Sequence, residues 1–227
     1  MLALERARYL SGPGTISSVT NSIEENRALW DRFDWTARGE EWTRRAASLK
    51  GLEPDAWKAT IAELIQREVP PRSVVLEVGP GAGRWTEMLR SRASHLVLVD
   101  ISATCLDLCR DRFGVGADIE YHLHDGQSPL DVRAETVDVI WSYDVFVHIN
   151  PNDVDAYLAE FARILKPGGR GVIHHSGGYD SLHFRAPMSR EWFAALVRRN
   201  GLDVESQDAE LAHEPGDIVT FIRKPGV

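Results

Sequence analysis

The sequence predicts an α/β fold, a mostly parallel sheet covered by helices on both faces, with a helical segment in front of it. Three observations carry this expectation. After Pro71, short β-rich runs alternate with helical ones, and that alternation builds a parallel sheet buried on both sides. The runs Val74-Val75-Leu76 and Val137-Asp138-Val139-Ile140 have the apolar density of buried central strands. The last two β-rich runs have only a loop between them, which makes a final hairpin and an antiparallel edge strand.

The elements follow in order. Residues 1–20 hold Ser11-Gly12-Pro13-Gly14 and a Ser/Thr run and read as a flexible N-terminus. From Ile23 to Arg45 the pattern is helical but broken, with Leu29, Trp30, Phe33 and Trp35 on one face and Gly39 splitting it. Pro54 opens a cleaner helix with Trp57, Ile61, Leu64 and Ile65 on one side, and Pro70-Pro71 ends it. Strands are expected at Ser73–Val78, Leu96–Val99, Ile119–Leu123, Val137–Trp141, Gly171–His175, Leu202–Ser206 and Asp217–Ile222. Helices are expected at Arg84–Arg92, Ala103–Phe113, Asp153–Leu165 and Ser189–Asn200. The organisation is therefore a flexible 1–20, a helical lid over 21–69 and a single catalytic unit over 70–227.

Composition narrows the class. A chain of 227 residues with 43% hydrophobic and 26% charged residues is an ordinary globular one. The net charge is −8 and no long basic run is present. That argues against a nucleic-acid partner, which needs phosphate neutralisation. No apolar run approaches the roughly 20 residues of a membrane span. The N-terminus has no signal-peptide core. The two cysteines, Cys105 and Cys109, sit one helical turn apart and read as reduced thiols of a cytoplasmic protein. Seven tryptophans are present, three of them (Trp30, Trp35, Trp42) within thirteen residues.

The strongest motif is Val75-Leu76-Glu77-Val78-Gly79-Pro80-Gly81-Ala82-Gly83-Arg84-Trp85, a strand, a glycine-rich turn and a helix start. Glycines let the backbone bend sharply and approach a ligand closely. Ligands of open α/β sheets bind at the carboxyl ends of strands, where this turn lies. A dinucleotide fingerprint would read G-x-G-x-x-G. Here the third glycine comes one position early and Arg84 takes the last slot. Asp100 closes the next strand, where an acid can accept both hydroxyls of a ribose. The third strand ends at His124-Asp125-Gly126, where a carboxylate can accept from an adenine amine.

Glu77-x-Gly79-x-Gly81-x-Gly83, Asp100 and Asp125, with Leu165-Lys166-Pro167-Gly168-Gly169 before the fifth strand, resemble the class I S-adenosylmethionine-dependent methyltransferases over about 65–225. The resemblance implies a Rossmann-like sheet of seven strands with the last antiparallel. It implies that Gly79 and Gly81 pack on the methionine part of the cofactor, that Asp100 binds its ribose, that Ile101 flanks the adenine and that Asp125 binds the adenine amine. Trp42, Glu77, Pro80, Gly126 and Ser142 complete the expected cofactor set.

Candidates for the chemistry lie in Trp141-Ser142-Tyr143-Asp144-Val145-Phe146-Val147-His148-Ile149, after the fourth strand. This is not the Asn/Asp-Pro-Pro-Tyr/Phe tetrapeptide of many base and amide N-methyltransferases. An alcohol acceptor must lose a proton to become a good nucleophile. His148 is the candidate base, because imidazole titrates near neutral pH. Asp144 lies one turn earlier if the segment is helical, placed to orient His148 or to join it around a Mg²⁺ ion. The fifth strand ends with His174 and His175, which face opposite ways on a regular strand, so one of them can assist. His183 follows in a loop that could lid the acceptor.

Gly83-Arg84-Trp85-Thr86, the Asp144 to His148 segment, His174-His175-Ser176 and the tryptophan-rich 26–43 resemble small sugar O-methyltransferases of actinobacterial polysaccharide pathways. The match departs after Trp42, where Arg44-Arg45-Ala46-Ala47 replaces a Trp-Gly-Gly turn. Aromatic rings suit the C–H faces of sugars, and Trp42 or Trp57 could also cover the cofactor. The expected activity is thus transfer from S-adenosylmethionine to a hydroxyl of a neutral saccharide or glycoside-like molecule. The alternatives are another small acceptor (a phenol, carboxylic acid or amine) or a non-catalytic cofactor binder. A homodimer is one assembly open to the chain.

Overall fold

The computed structural model describes residues 21–178, 185–212 and 214–226. The expectations for 1–20 and for His183 lie outside them.

Seven strands form one sheet: β1 (Ser73–Val78), β2 (Ala93–Asp100), β3 (Ile119–Leu123), β4 (Val137–Ser142), β5 (Leu165–Ser176), β6 (Asp203–Asp208) and β7 (Asp217–Arg223). Their spatial order is β3-β2-β1-β4-β5-β7-β6. The first five are parallel, and β7 runs antiparallel to β5 and to β6. The final hairpin therefore inserts its second strand next to β5 and leaves β6 at the edge.

The helices are α1 (Ile23–Arg32), α2 (Glu40–Lys50), α3 (Pro54–Glu68), α4 (Thr86–Arg90), α5 (Ala103–Phe113), α6 (Pro151–Ile164) and α7 (Arg190–Arg199). Short 3₁₀ turns lie at Trp35–Ala37 and Phe146–His148. Among the described residues no helix is long and apolar enough to cross a membrane.

Strand alternation divides the core into two layers. Val75, Leu96, Leu98, Val139 and Trp141 face α3, α4 and α5, with Ile61, Leu64 and Leu89 opposite. Leu76, Val97, Val99, Ile140 and Ile173 face α6 and α7, with Leu158, Phe161 and Phe193 opposite. Each fully buried Leu or Phe contributes ~1.5–3 kcal/mol of hydrophobic stabilisation. The sheet is thereby fixed from both faces, and its strand ends hold still as a platform.

Three differences from the sequence reading have physical causes. Helix α4 is shorter than 84–92, because Gly81 (φ 56°) and Gly83 (φ 82°) hold the chain in left-handed turns and delay its start. The Ser91 N–H then closes on Glu87, and Arg72 pairs with the Arg92 carbonyl to begin β2. Strand β5 begins at Leu165, not Gly171, since Gly168 and Gly169 exchange backbone bonds with Lys224. A register shift between Val137 and Val139 absorbs the extra length. Finally, α3 is a core helix. Trp57 is 2% exposed within the inner layer, so it covers no ligand. The part of 21–69 that stands over the strand ends is α1, the 3₁₀ turn and Trp42 of α2.

Candidate active site

A cavity of about 880 Å³ opens at the carboxyl ends of β1, β2 and β4, roofed by α1 and the tryptophan turn. Its floor starts at the glycine turn. Gly79 leaves β1 at φ 72°, and its N–H donates to the Val99 carbonyl at 2.8 Å. A Cβ there would lie 2.3 Å from Val145 of the β4 exit loop. At Gly81 a Cβ would meet the Trp35 ring at 3.0 Å. Glycine is required at both places for close approach as well as for the turn.

At the end of β2, Asp100 lines the cavity with a buried carboxylate. The Ser102 N–H donates to its Oδ1 at 2.9 Å and the Gly81 N–H reaches its Oδ2 at 3.4 Å. Burial outweighs these bonds and pushes its pKa up to about 6. Pro80 and Ile101 also line this end. An acceptor carboxylate, an apolar flank and an open glycine backbone together fit the ribose, adenine and methionine parts of S-adenosylmethionine.

Four other expected cofactor residues stand elsewhere. Glu77 lies beneath the turn, not on the cavity wall. Its carboxylate accepts from Thr86 Oγ1 at 2.7 Å, and burial pushes its pKa up to about 8. It ties β1 to the start of α4. Ser142 is buried and donates to the Val78 carbonyl at 3.0 Å, a clip between β4 and β1. Asp125 does not line the cavity. Its carboxylate accepts from the Ser128 hydroxyl and from the N–H groups of Ser128 (2.7 Å) and Gln127 (2.9 Å), which hold its pKa well below the usual range. Gly126 borders an adjoining hollow of about 30 Å³ that shares Ile101, His148 and Tyr157 with the main cavity, and Ile23 of α1 presses on it.

The roof is aromatic. Trp30, Phe33, Trp35 and Trp42 form one cluster with ring centroids 4.9–6.1 Å apart. Polar bonds anchor it to the strand ends. Asp31 accepts from Ser102 Oγ at 2.6 Å, beside the N-terminus of α5, where an acid is favoured. Asn26 donates to the His148 carbonyl at 3.2 Å, and Arg27 reaches the Asp125 carbonyl at 3.4 Å.

The far wall is ionic. His148 lines the cavity with its ring 5.5 Å from Trp30. Asp144 also lines it, but not as one helical turn before His148. It sits at φ 65°, a strained conformation for a non-glycine residue, and only Phe146–His148 is helical. Its carboxylate pairs with the Arg84 guanidinium and lies 3.0 Å from His174 Nδ1. His174 is fully buried, and its Nε2 lies 3.4 Å from Asp217. Burial pushes the His174 pKa down, but Asp144 and Asp217 push it up more strongly, so the net direction is up.

His175 faces the other layer, which removes it from the cavity. Its ring stacks on Phe193 at 3.7 Å, its Nε2 meets Thr220 at 2.6 Å, and burial lowers its pKa to about 3. The expected Asp144–His148 metal pair does not fit either. Arg84 already places a cation on Asp144, and among the described residues no group of three His, Cys, Asp or Glu is disposed to hold an ion.

Sequence reasoning passed over Arg84 and Arg185 as site residues. Arg84 left a signal, since it fills the last slot of a glycine fingerprint. Arg185 and Asp217 left none, because their meeting depends on the fold.

Residues 75–169 match the family described as a methyltransferase domain. Phosphoethanolamine N-methyltransferase 1 of Triticum aestivum is 25% identical over 212 residues, 87% of this chain and 42% of that protein. A demethylmenaquinone methyltransferase of Tropheryma whipplei is 28% identical over 134 residues, 59% of this chain and 54% of that one. The chain thus spans about half the length of the curated relatives, or less. Magnesium protoporphyrin IX methyltransferase of Synechocystis PCC 6803, solved with bound S-adenosylhomocysteine, superposes with a TM-score of 0.64 at 12% identity, over 90% of this chain and all of that one. A methyltransferase of Haloferax volcanii, solved with the Trm112 activator, gives 0.63 at 21% identity, over 84% and 97% of the two chains. The chain thus has the class I methyltransferase fold, and residues 75–169 within it match a methyltransferase domain.

Proposed function

We propose that this domain transfers a methyl group from S-adenosylmethionine to a hydroxyl of a saccharide or glycoside-like small molecule. The observation that carries the reading is that one cavity joins the glycine turn and Asp100 to His148 and the aromatic cluster. Its volume of about 880 Å³ leaves room for an acceptor beside a cofactor.

Gly79, Pro80, Gly81, Asp100, Ile101 and Trp42 hold the cofactor in this reading. When bound, it supplies a methyl group on a sulfonium, already a strong electrophile. The protein's task is then positioning and one proton. The aromatic cluster packs on the acceptor body and excludes water. His148 accepts the hydroxyl proton at a ring nitrogen. Asp144 links Arg84 to His174, and this buried ion-pair chain shapes the wall that also holds His148.

A second reading is a different small acceptor, a phenol, carboxylic acid or amine. The similarity to proteins named for phosphoethanolamine and demethylmenaquinone favours keeping it. Calorimetry with S-adenosylhomocysteine tests the domain, and labelled cofactor with sugars, glycosides, phenols and amines tests the acceptor. Labelling of amines alone would overturn the hydroxyl assignment.

A further inference from the structure

The turn Gly79-Pro80-Gly81-Ala82-Gly83 is gripped from the side away from the cavity. Its three glycines sit at φ 72°, 56° and 82°. Glycine loses more conformational freedom on folding than any other residue, so a turn this rich in it does not hold one shape unaided. Its backbone makes one closing bond, from the Gly83 N–H to the Pro80 carbonyl at 2.9 Å, and one bond to β2, from the Gly79 N–H to Val99. The next three carbonyls are all taken by side chains of one helix, α5. Cys109 Sγ donates to the Gly81 carbonyl at 3.2 Å. Arg112 Nη1 donates to the Ala82 carbonyl at 3.3 Å and to the Gly83 carbonyl at 2.7 Å.

Cys109 and Arg112 are three residues apart, a spacing that puts both on one face of α5. The Nη2 of Arg112 donates to Glu87 of α4 at 2.8 Å, which fixes the guanidinium between the two helices. Phe113 closes the grip, since a Cβ on Gly83 would lie 2.5 Å from its ring. None of Cys109, Arg112 and Phe113 lines the cavity. A peptide unit is planar and trans, so a carbonyl drawn toward α5 turns the N–H of the following residue away from α5. The N–H groups so turned belong to Ala82, Gly83 and Arg84. That of Gly83 is used inside the turn, while Ala82 and Arg84 both line the cavity.

We propose that Cys109 and Arg112 are positioning residues of the cofactor site, orienting the peptide groups of the glycine turn so that its free N–H groups face the cofactor. This rests on the reading of the turn as part of an S-adenosylmethionine site. Neither side chain touches the cofactor. Both act through the turn, holding it before binding in the shape that binding requires, so that little ordering remains to be done in the complex. Arg112 has the larger share, because it is charged and meets two carbonyls, whereas a thiol is a weak donor.

The test is calorimetry of the whole chain with S-adenosylhomocysteine, read beside the amide NMR resonances of Gly79, Gly81 and Gly83 in the free protein. Arg112→Met should weaken binding about 10-fold or more, the scale of a lost charge-assisted bond, and shift the Gly81 and Gly83 resonances. Arg112→Lys should restore part of the affinity, since an ammonium lacks the planar fork that reaches the turn and Glu87 together. Cys109→Ala should weaken binding a few-fold, and Cys109→Ser, which keeps a donor, should restore it. Arg110→Met is the control. Arg110 is on the same helix but pairs with Asp107 and packs over Tyr121, so this variant should keep wild-type affinity and glycine resonances. Thermal melts confirm that each variant is folded at the titration temperature, and if Arg112→Met is not, the two Cys109 variants decide. Affinity within about twofold of wild type in Arg112→Met overturns the inference. An equal loss in Arg110→Met also overturns it, as do Cys109→Ala and Cys109→Ser that bind alike. Absence of S-adenosylhomocysteine binding by the wild-type chain would instead sink the methyltransferase reading.

Discussion

The wall at β1 and β2 and the wall at β4 and β5 hold their shapes by different means. The first is built of backbone: Gly79 and Gly81 at positive φ, a backbone hydrogen bond from the Gly79 N–H to the Val99 carbonyl, and one carboxylate, Asp100. The second is built of charged side chains, Arg84–Asp144 and Arg185–Asp217, with His174 between the two acids. A wall of backbone tolerates many surroundings but no added side chain. A wall of ion pairs tolerates new shapes but no missing partner.

Substitutions can break this contrast, and the largest effect falls on the backbone wall. Gly79→Val places a branched side chain at φ 72° and against Val145. Left-handed backbone costs about 1–2 kcal/mol and overpacking about 1–3 kcal/mol more. Calorimetry should find S-adenosylhomocysteine binding abolished and a melt should find a lower Tm. Wild-type affinity in this variant would mean that the turn is not part of the cofactor site.

Next comes the proposed base. His148→Ala should lower kcat by about 10²-fold or more, with cofactor affinity held within about twofold. A labelled-cofactor assay reads the first and calorimetry the second. Unchanged turnover removes His148 from the chemistry.

The third effect is a pH dependence. Asp100 has a folded pKa raised to about 6, above its unfolded value. The empty protein is therefore stabilised by this group as pH falls through 6, since the folded state holds the proton more tightly. Cofactor binding has the opposite sign, because ribose hydroxyls donate to the ionised form. S-adenosylhomocysteine should bind about tenfold more weakly at pH 5 than at pH 7.5. Asp100→Asn should bind weakly at both values, with that slope removed.

The smallest effect belongs to the roof. Asp31→Ala removes the bond to Ser102 and an acid near the N-terminus of α5. Together these contribute roughly 1 kcal/mol, a few-fold in cofactor affinity. Amide exchange over 23–32 should speed up in the same variant, which separates a loosened roof from a damaged floor.

The same contrast explains what could be read in advance. The strands and their buried character follow from apolar periodicity, and the glycine turn follows from spacing, because both are local in the chain. Asp100 stands on the cavity at the end of β2 for the same reason. Asp125 does not line it, because a local turn through Gln127 and Ser128 holds its carboxylate. The ionic wall was least legible. Arg84 and Asp144 are 60 residues apart, and nothing in either neighbourhood announces the other. His174 and His175 were indistinguishable until Phe193 and Thr220 claimed one of them.

The roof also has an optical consequence. Trp30, Trp35, Trp42 and Trp85 line the cavity, while Trp57 and Trp141 are sealed in the core and Trp192 stands on the outer face of α7. A solute entering the cavity changes the surroundings of four indoles at once and leaves the other three as they were. Intrinsic emission thus gives a built-in, label-free titration of the cavity, with an internal reference that follows only the fold.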